Sequence, residues 1–193
     1  MNYPNGIKKL NNSNINYSNR GMALESDLNE TNIYYLTNNI AVIYKKPTSI
    51  TITKVEHPKS GEVVIKEGYF KTPSTTDYNG IYKGKYIDFE AKETRNKNFF
   101  PLNNIHNHQI KHLNKIIEHG GIGFIIVRFT TLDETYYLDG KELLDFISNN
   151  KRQSIPLSYF KKQGYLIKPK FNPRLDYLEA INFIYFGGDR NEK

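Results

Sequence analysis

Between Tyr86 and Lys92 the chain alternates without a break. Tyr86, Asp88, Glu90 and Lys92 fall on one side, and Ile87, Phe89 and Ala91 on the other. That pattern predicts a strand with one core face and one face carrying two carboxylates and an ammonium. Just upstream, Asn79-Gly80 and Lys83-Gly84 read as turn signals, which return Asp77 beside Glu90 on an adjacent strand. Over 122–129 the run Ile-Gly-Phe-Ile-Ile-Val-Arg-Phe is nearly all apolar, as expected of a central strand covered on both faces. Further strands are predicted over 40–44, 49–55, 63–70 and 134–138, with a loop over 95–101.

Helical spacing accounts for most of the rest. Leu24, Leu28, Thr31 and Tyr35 share one side of a helix over 21–37, with Glu25, Asp27 and Glu30 in its N-terminal half, where the helix dipole favours acids. Ile110, Leu113, Ile116 and Ile117 mark a helix over 105–119, stopped by Gly120-Gly121. Leu143, Leu144, Phe146 and Ile147 mark another over 141–149, and Leu178, Ile181 and Ile184 a last one over 176–186. Strands and helices mixed in this way give an α/β fold class.

Composition adds a direction. The 193 residues carry a net charge of +7, with a pI near 9.3, and their 13% of aromatics are all Tyr and Phe. A basic, Tyr-rich chain suits a polyanionic partner. With no cysteine, a disulfide framework and a Cys-based zinc site are both excluded. No apolar run approaches the ~20 residues of a membrane span. The first residues lack the apolar stretch of a signal peptide, so a cytoplasmic protein without a membrane partner is expected.

The charge is unevenly placed. Residues 1–19 are Asn-rich, with Lys8, Lys9 and no acid, and Arg20 follows; this arm is either an inert tail or a segment that folds onto nucleic acid. Lys45, Lys46, Lys54, Lys59, Lys66 and Lys71 cluster around the turn at Glu56–Gly61, which is either an ordinary β-meander tip or a projecting basic arm. From 151 to 175 the cations Lys151, Arg152, Lys161, Lys162, Lys168, Lys170 and Arg174 occur with no acid among them. That run is either a solvated surface or a phosphate-facing patch.

The alternating strand is the centre of the chemistry. Same-face neighbours on a strand lie about 6.6 Å apart, so Glu90 and Lys92 can serve one small site. Asp77 and Glu90 have the oxygen ligands that Mg²⁺ prefers, and Lys92 can orient a water or offset charge developing on a phosphoryl group. The plainer reading is a solvated strand face with cross-strand ion pairs. Gln109 leans from its helix toward the sheet, either as a satisfied buried polar group or reaching into the site. His108 and His112 are four apart on that helix, but no Glu and no third ligand follow, so with His106 they are expected on a solvent- or DNA-facing surface and not around zinc.

An Asp followed by Glu-x-Lys is the signature of restriction-endonuclease-like nuclease cores. Here it lies among more specific segments: Asn19-Arg-Gly-Met22, Ala41-Val-Ile43 with Lys45-Lys-Pro-Thr48, Ser74-Thr-Thr-Asp-Tyr-Asn-Gly80, Tyr86-Ile-Asp-Phe-Glu-Ala-Lys-Glu-Thr94, Pro101-Leu102 with His108-Gln109, and Asn172-Pro-Arg-Leu-Asp-Tyr177. In these the chain resembles the RecU family, the Holliday-junction resolvases of Gram-positive bacteria, over nearly its whole length. The resemblance implies a homodimeric, Mg²⁺-dependent endonuclease with Mn²⁺ as a substitute, and a restriction-endonuclease-like (PD-(D/E)XK) fold with a central mixed sheet flanked by helices. It implies metal ligation by Thr75, Asp77, Glu90 and Gln109, and catalysis by Lys92 with Asp77 and Glu90. It further implies a stalk over about 47–73 that projects toward the centre of a four-way DNA junction, and RecA as a protein partner.

On this reading the chain divides into a flexible basic arm over 1–19, a nuclease domain over 20–186 and a polar tail over 187–193. DNA contacts are expected from Arg20, Lys45, Lys46, Lys59, Lys66, Lys71, Arg95 and Lys97. The arm is expected to be shorter than is usual in the family, and Ser60 stands where the family tends to carry a further basic residue. Two rival functions remain: a non-catalytic branched-DNA-binding protein that regulates recombinase filaments, and a duplex-cutting nuclease of restriction type.

Overall fold

A computed structural model describes residues 20–48, 50–57, 61–70 and 75–188, with side chains from Leu24 onward. The arm over 1–19, the side chain of Arg20, Lys59, Ser60, Lys71 and the tail beyond 188 lie outside the described residues. In chain order the elements are α1 (Arg20–Thr37), β1 (Val42–Lys45), β2 (Ile50–Glu56), β3 (Val64–Phe70), β4 (Tyr78–Tyr82), β5 (Lys85–Thr94) and β6 (Phe99–Pro101). A 3-10 turn (Leu102–Asn104) then leads into α2 (Asn107–Glu118), β7 (Ile122–Phe129), β8 (Glu134–Asp139) and α3 (Gly140–Asn149). The chain continues through β9 (Ser154–Pro156), α4 (Leu157–Gln163), β10 (Tyr165–Ile167) and α5 (Leu178–Tyr185).

Six strands form the main sheet in the order β1-β4-β5-β7-β8-β10. β5 and β7 pair in parallel, with Glu90 opposite Ile125 and Lys92 opposite Val127; the other neighbours are antiparallel. The sheet is therefore mixed, and helices flank it, as the α/β reading expects. Strand alternation sends Ile87, Phe89, Phe124, Ile126 and Tyr137 to one face, where they join Leu24, Leu28 and Tyr35 of α1 and Leu178 and Ile181 of α5. Phe89 is the hub of that layer, stacked on Phe124 at 4.6 Å and on Tyr78 at 4.7 Å between ring centroids. The opposite face sends Ile125, Val127, Tyr136 and Leu138 against Leu113 of α2, Leu143 and Phe146 of α3 and Phe160 of α4.

One turn signal is misplaced. Asn79-Gly80 lies inside β4, and the reversal into β5 is made by Lys83-Gly84 alone, both with positive φ (47° and 73°) between the paired residues Tyr82 and Lys85. Two successive left-handed residues make the tight turn whose twist suits a hairpin. Gly80 serves a different need. A Cβ there would sit 2.1 Å from the Val42 carbonyl oxygen and 2.6 Å from Ile43 Cα, so glycine is what lets β1 close onto β4.

Other expectations shift as well. The predicted loop at 99–101 is β6, paired with β9 in a short ribbon of its own. The basic run contains β9, α4 and β10, which its charge pattern concealed. Ile184 is 42% exposed and does not join Leu178 and Ile181 in the core. β2 and β3 form a separate two-stranded sheet with register shifts around Lys54. On it Ile50, Ile52, Val55, Ile65, Tyr69 and Phe70 are all exposed.

Candidate active site

The polar face of β5 is not solvated. Asp88 and Glu90 are both fully buried there. The plainer reading of this face, an exposed strand with cross-strand ion pairs, is therefore set aside. Two carboxylates in adjacent same-face positions have opposite surroundings.

Asp88 is closed off by donors. Lys46 Nζ lies 2.7 Å from Oδ2, Tyr86 OH donates to Oδ2 at 3.0 Å, and His112 Nε2 is 3.3 Å from the same oxygen. Thr76 Oγ1 donates to Oδ1 and accepts from Lys46 Nζ at 2.8 Å. A buried carboxylate paired with an ammonium and fully hydrogen-bonded is a stable arrangement, but it offers nothing to a ligand.

Glu90 is left open. Lys92 Nζ stands 2.5 Å from its Oε1 as an ion pair. Beyond that ammonium, no backbone N–H and no hydroxyl among the described residues donates to Oε1 or Oε2. Burial first, and then the negative charge of Asp77, pushes the Glu90 carboxyl up to about 7, against the opposing charge of Lys92. Asp77 is half-buried just before β4, and its Oδ2 accepts from the Ala91 backbone N–H at 3.2 Å. Its carbonyl accepts from the Lys46 backbone N–H at 2.8 Å. The Asp77 carboxylate is thus fastened to β5 one residue from Glu90.

Two neighbouring carboxylates, one of them buried, share a single ammonium, which leaves negative charge and lone pairs for a further cation. Among the described residues no three His, Asp or Glu side chains gather as a metal cluster. Asp77 and Glu90 alone would bring the negative charge, and neutral oxygens and waters the remainder, which is the pattern Mg²⁺ uses. The donor set therefore fits a hard divalent cation. Half-buried Thr75 stands two residues before Asp77. Gln109, 3% exposed, faces the sheet from the first turn of α2, where its Oε1 accepts from the His106 N–H at 3.0 Å. A carbonyl oxygen has a second lone pair, so this bond leaves one for another partner.

The remaining expected residues scatter. Lys46 is turned inward onto Asp88, and Lys45 pairs with Glu25. Lys66 pairs with Glu56 on the hairpin at 3.2 Å. Arg95 and Lys97 lie exposed beyond the end of β5. Exposed His106 stacks on half-buried His108 at 5.4 Å between ring centroids, while His112, its side chain 24% exposed, reaches Asp88. Three cations of the basic run pair, at the surface, with acids outside the run. Lys170 pairs with Asp176 and Glu179, Arg174 with Asp27 and Glu30, and Lys161 with Glu134 at 3.7 Å. Lys151 and Arg152 instead line a cavity of about 470 Å³ with His106, Asn107 and Ile110 of the α2 N-terminal region.

The ring around Asp88 escaped sequence reasoning. Its signals were present: Thr76 adjoins Asp77, Tyr86 and Asp88 share a strand face, and His112 follows Gln109 by three on the sheet side of α2.

Fold and site together define an α/β protein with a buried acidic centre on its central strand. The profile of the family described as Recombination protein U matches residues 19–183. A Holliday junction resolvase RecU of Bacillus cereus (strain B4264) is 53% identical over 173 residues, covering 88% of this chain and 86% of the relative. The protein of the same name from Bacillus anthracis (strain CDC 684 / NRRL 3495) matches with the same identity and coverage. Archaeoglobus fulgidus Hjc, a Holliday junction resolvase of known structure, aligns at 9% identity with a TM-score of 0.43, over 74% of this chain and 93% of that one. The chain belongs to the RecU family.

Proposed function

We propose that this protein is a divalent-metal-dependent endonuclease that resolves four-way DNA junctions in recombination and repair. The observation that carries the reading is Glu90, a fully buried carboxylate beside a second carboxylate, Asp77, with the Lys92 ammonium as its one close cationic partner. Its relatives bear the name Holliday junction resolvase RecU, which supplies the substrate class.

In this reading Asp77 and Glu90 hold Mg²⁺, or Mn²⁺ in its place, with Thr75 and Gln109 as neutral oxygen ligands. When bound, the cation polarises a phosphoryl oxygen and lowers the pKa of water enough to make a nucleophile. Lys92, 25% exposed, reaches from the buried carboxylate toward the opening of the site, where its ammonium offsets charge developing on the scissile phosphate. Burial of Glu90 keeps competing water away from the ligand oxygens and strengthens the field at the reacting phosphate.

A second copy of the chain supplies the opposing cut, since two nicks related by a two-fold axis leave ligatable duplexes. The β2–β3 hairpin supports dimerisation. A lone two-stranded ribbon is marginal in water, and this one exposes Ile50, Ile52, Ile65, Tyr69 and Phe70, surface that a partner would cover. RecA as a further partner and the cytoplasm as the place of action belong to the same proposal. Among the described residues no helix is long and apolar enough to cross a membrane.

The test is cleavage of a labelled synthetic four-way junction beside a linear duplex of the same sequence, with Mg²⁺ and with EDTA. Paired symmetric nicks in the junction alone, lost with EDTA, are expected. Tight junction binding without nicking under any divalent metal would replace the resolvase with the binding-protein reading, and equal cutting of the duplex would replace it with the restriction-type one.

A further inference from the structure

We infer that the buried triad Lys46–Thr76–Asp88 is a positioning device that sets the Thr75–Asp77 segment against Glu90 and so fixes the affinity of the metal centre. The inference rests on the metal reading of Glu90 and Asp77. It assigns roles to three residues outside that ligand set.

The argument begins with chain connectivity. Residues 75–77 form no helix and join no strand ladder; β4 begins only at Tyr78. The Ala91 N–H holds the Asp77 carboxylate directly at 3.2 Å, but no strand ladder of this segment sets the position of Thr75 or supports that one bond. Thr76, the residue between them, is 3% exposed and turns away from solvent into the ring around Asp88. Its Oγ1 donates to Asp88 Oδ1 and accepts from Lys46 Nζ at 2.8 Å. Lys46 closes the loop by two routes. Its ammonium holds Asp88 Oδ2 at 2.7 Å, and its backbone N–H donates to the Asp77 carbonyl at 2.8 Å.

The segment is therefore pinned at two successive residues, both to partners anchored on Asp88. Asp88 sits two residues before Glu90 on the same face of β5, so the pin refers Asp77 directly to the strand that carries Glu90. Tyr86 OH at 3.0 Å and His112 Nε2 at 3.3 Å complete the donors on Asp88 and fix its rotamer from β5 itself and from α2. The same α2 presents Gln109, one turn earlier. One buried carboxylate thus orients three of the elements that meet at the metal centre.

A fully satisfied Asp88 cannot itself serve as a ligand. Its value is geometric, since a hard cation with strict coordination needs its oxygens placed to within a few tenths of an ångström. Residues that orient ligands in this way typically change metal affinity by about 10- to 100-fold when removed.

Binding of Mn²⁺ to the full chain, followed by titration calorimetry, is the test. Asp88→Asn leaves the Lys46 ammonium unmatched and can fail to fold, so Thr76→Val carries the decision. It keeps the shape of the side chain and removes both hydroxyl bonds. The expected result is a Kd for Mn²⁺ raised about 10- to 100-fold in Thr76→Val. Thr76→Ser, which restores the hydroxyl, returns the parent value. Circular dichroism in EDTA should show Thr76→Val folded, separating lost affinity from lost structure. A folded Thr76→Val whose Mn²⁺ affinity stays within twofold of the parent overturns the positioning role and leaves the metal centre standing. A parent chain that binds no Mn²⁺, or an Asp77→Asn variant that binds it as well as the parent, overturns the metal reading itself, and the triad with it.

Discussion

Asp88 and Glu90 are two residues apart on one strand, equally buried, and opposite in condition. Asp88 is surrounded by Lys46, Thr76, Tyr86 and His112. Glu90 has the Lys92 ammonium alone, with the Asp77 carboxylate beside it. One ammonium fills only part of a buried carboxylate's lone pairs, so the desolvation of Glu90 is compensated less fully than that of Asp88. Burial alone therefore does not distinguish a structural acid from a functional one. The number of donors does.

The sharpest way to break this contrast is to change the open acid. On the proposed function, Glu90→Gln and Asp77→Asn should each lower junction cleavage by about a thousandfold or more, since the cation they would hold would supply most of the acceleration. Junction binding should persist in a gel-shift assay if, as proposed, it rests on phosphate contacts elsewhere. Lys92→Ala should reduce turnover by about 100-fold at saturating metal; if metal affinity falls in parallel with turnover, its role is in the ligand set and not at the phosphate.

Changing the closed acid should act on stability. Asp88→Asn removes one partner of a buried pair and leaves Lys46 18% exposed without its counter-charge. Denaturant unfolding should report a loss on the order of 3 kcal/mol. An unchanged midpoint would mean that Asp88 is no better satisfied than Glu90.

The pH dependence of stability separates the two further. Glu90 is held up to about 7 in the folded protein, against an ordinary carboxyl value of 4.5. Between those values the folded state binds more proton than the unfolded one, so without metal stability falls as pH rises through this window. Glu90→Gln has no such proton to lose. The parent's folding equilibrium should therefore weaken relative to Glu90→Gln by up to about tenfold per pH unit from pH 5 to 7, measured by urea unfolding in EDTA. A constant offset between the two would show that the carboxyl is not raised. The smallest effect is expected on the hairpin, where Lys66 and Glu56 are both about half exposed. There Lys66→Ala should change stability by less than about 0.5 kcal/mol.

The same contrast explains what could be read in the sequence. Period and polarity were enough for β5, β7, α1 and α3, because one apolar face sets each element's orientation. Strand alternation put Glu90 and Lys92 on one face, and the turn at Lys83-Gly84 brought Asp77 beside them, just before β4 and not on the strand expected. What period and polarity lacked was the partner across space. Lys46 looked like a surface cation because its acid, Asp88, lies 42 residues away in the chain. The run from 151 to 175 looked unpaired because Asp27, Glu30, Asp176 and Glu179 lie outside it. Asn79-Gly80 carried a turn signal that close approach to β1 overrode. Residues β6, β9 and β10 are three-residue strands, too short to show a period.

The most direct measurement is anomalous X-ray diffraction from crystals of the protein soaked in Mn²⁺. One peak is predicted in each chain, within about 2.2 Å of oxygens from both Asp77 and Glu90, with none at Asp88. A peak on Asp88, or an ordered Glu90 hydrogen-bonded to the protein with no metal beside it, would contradict the account.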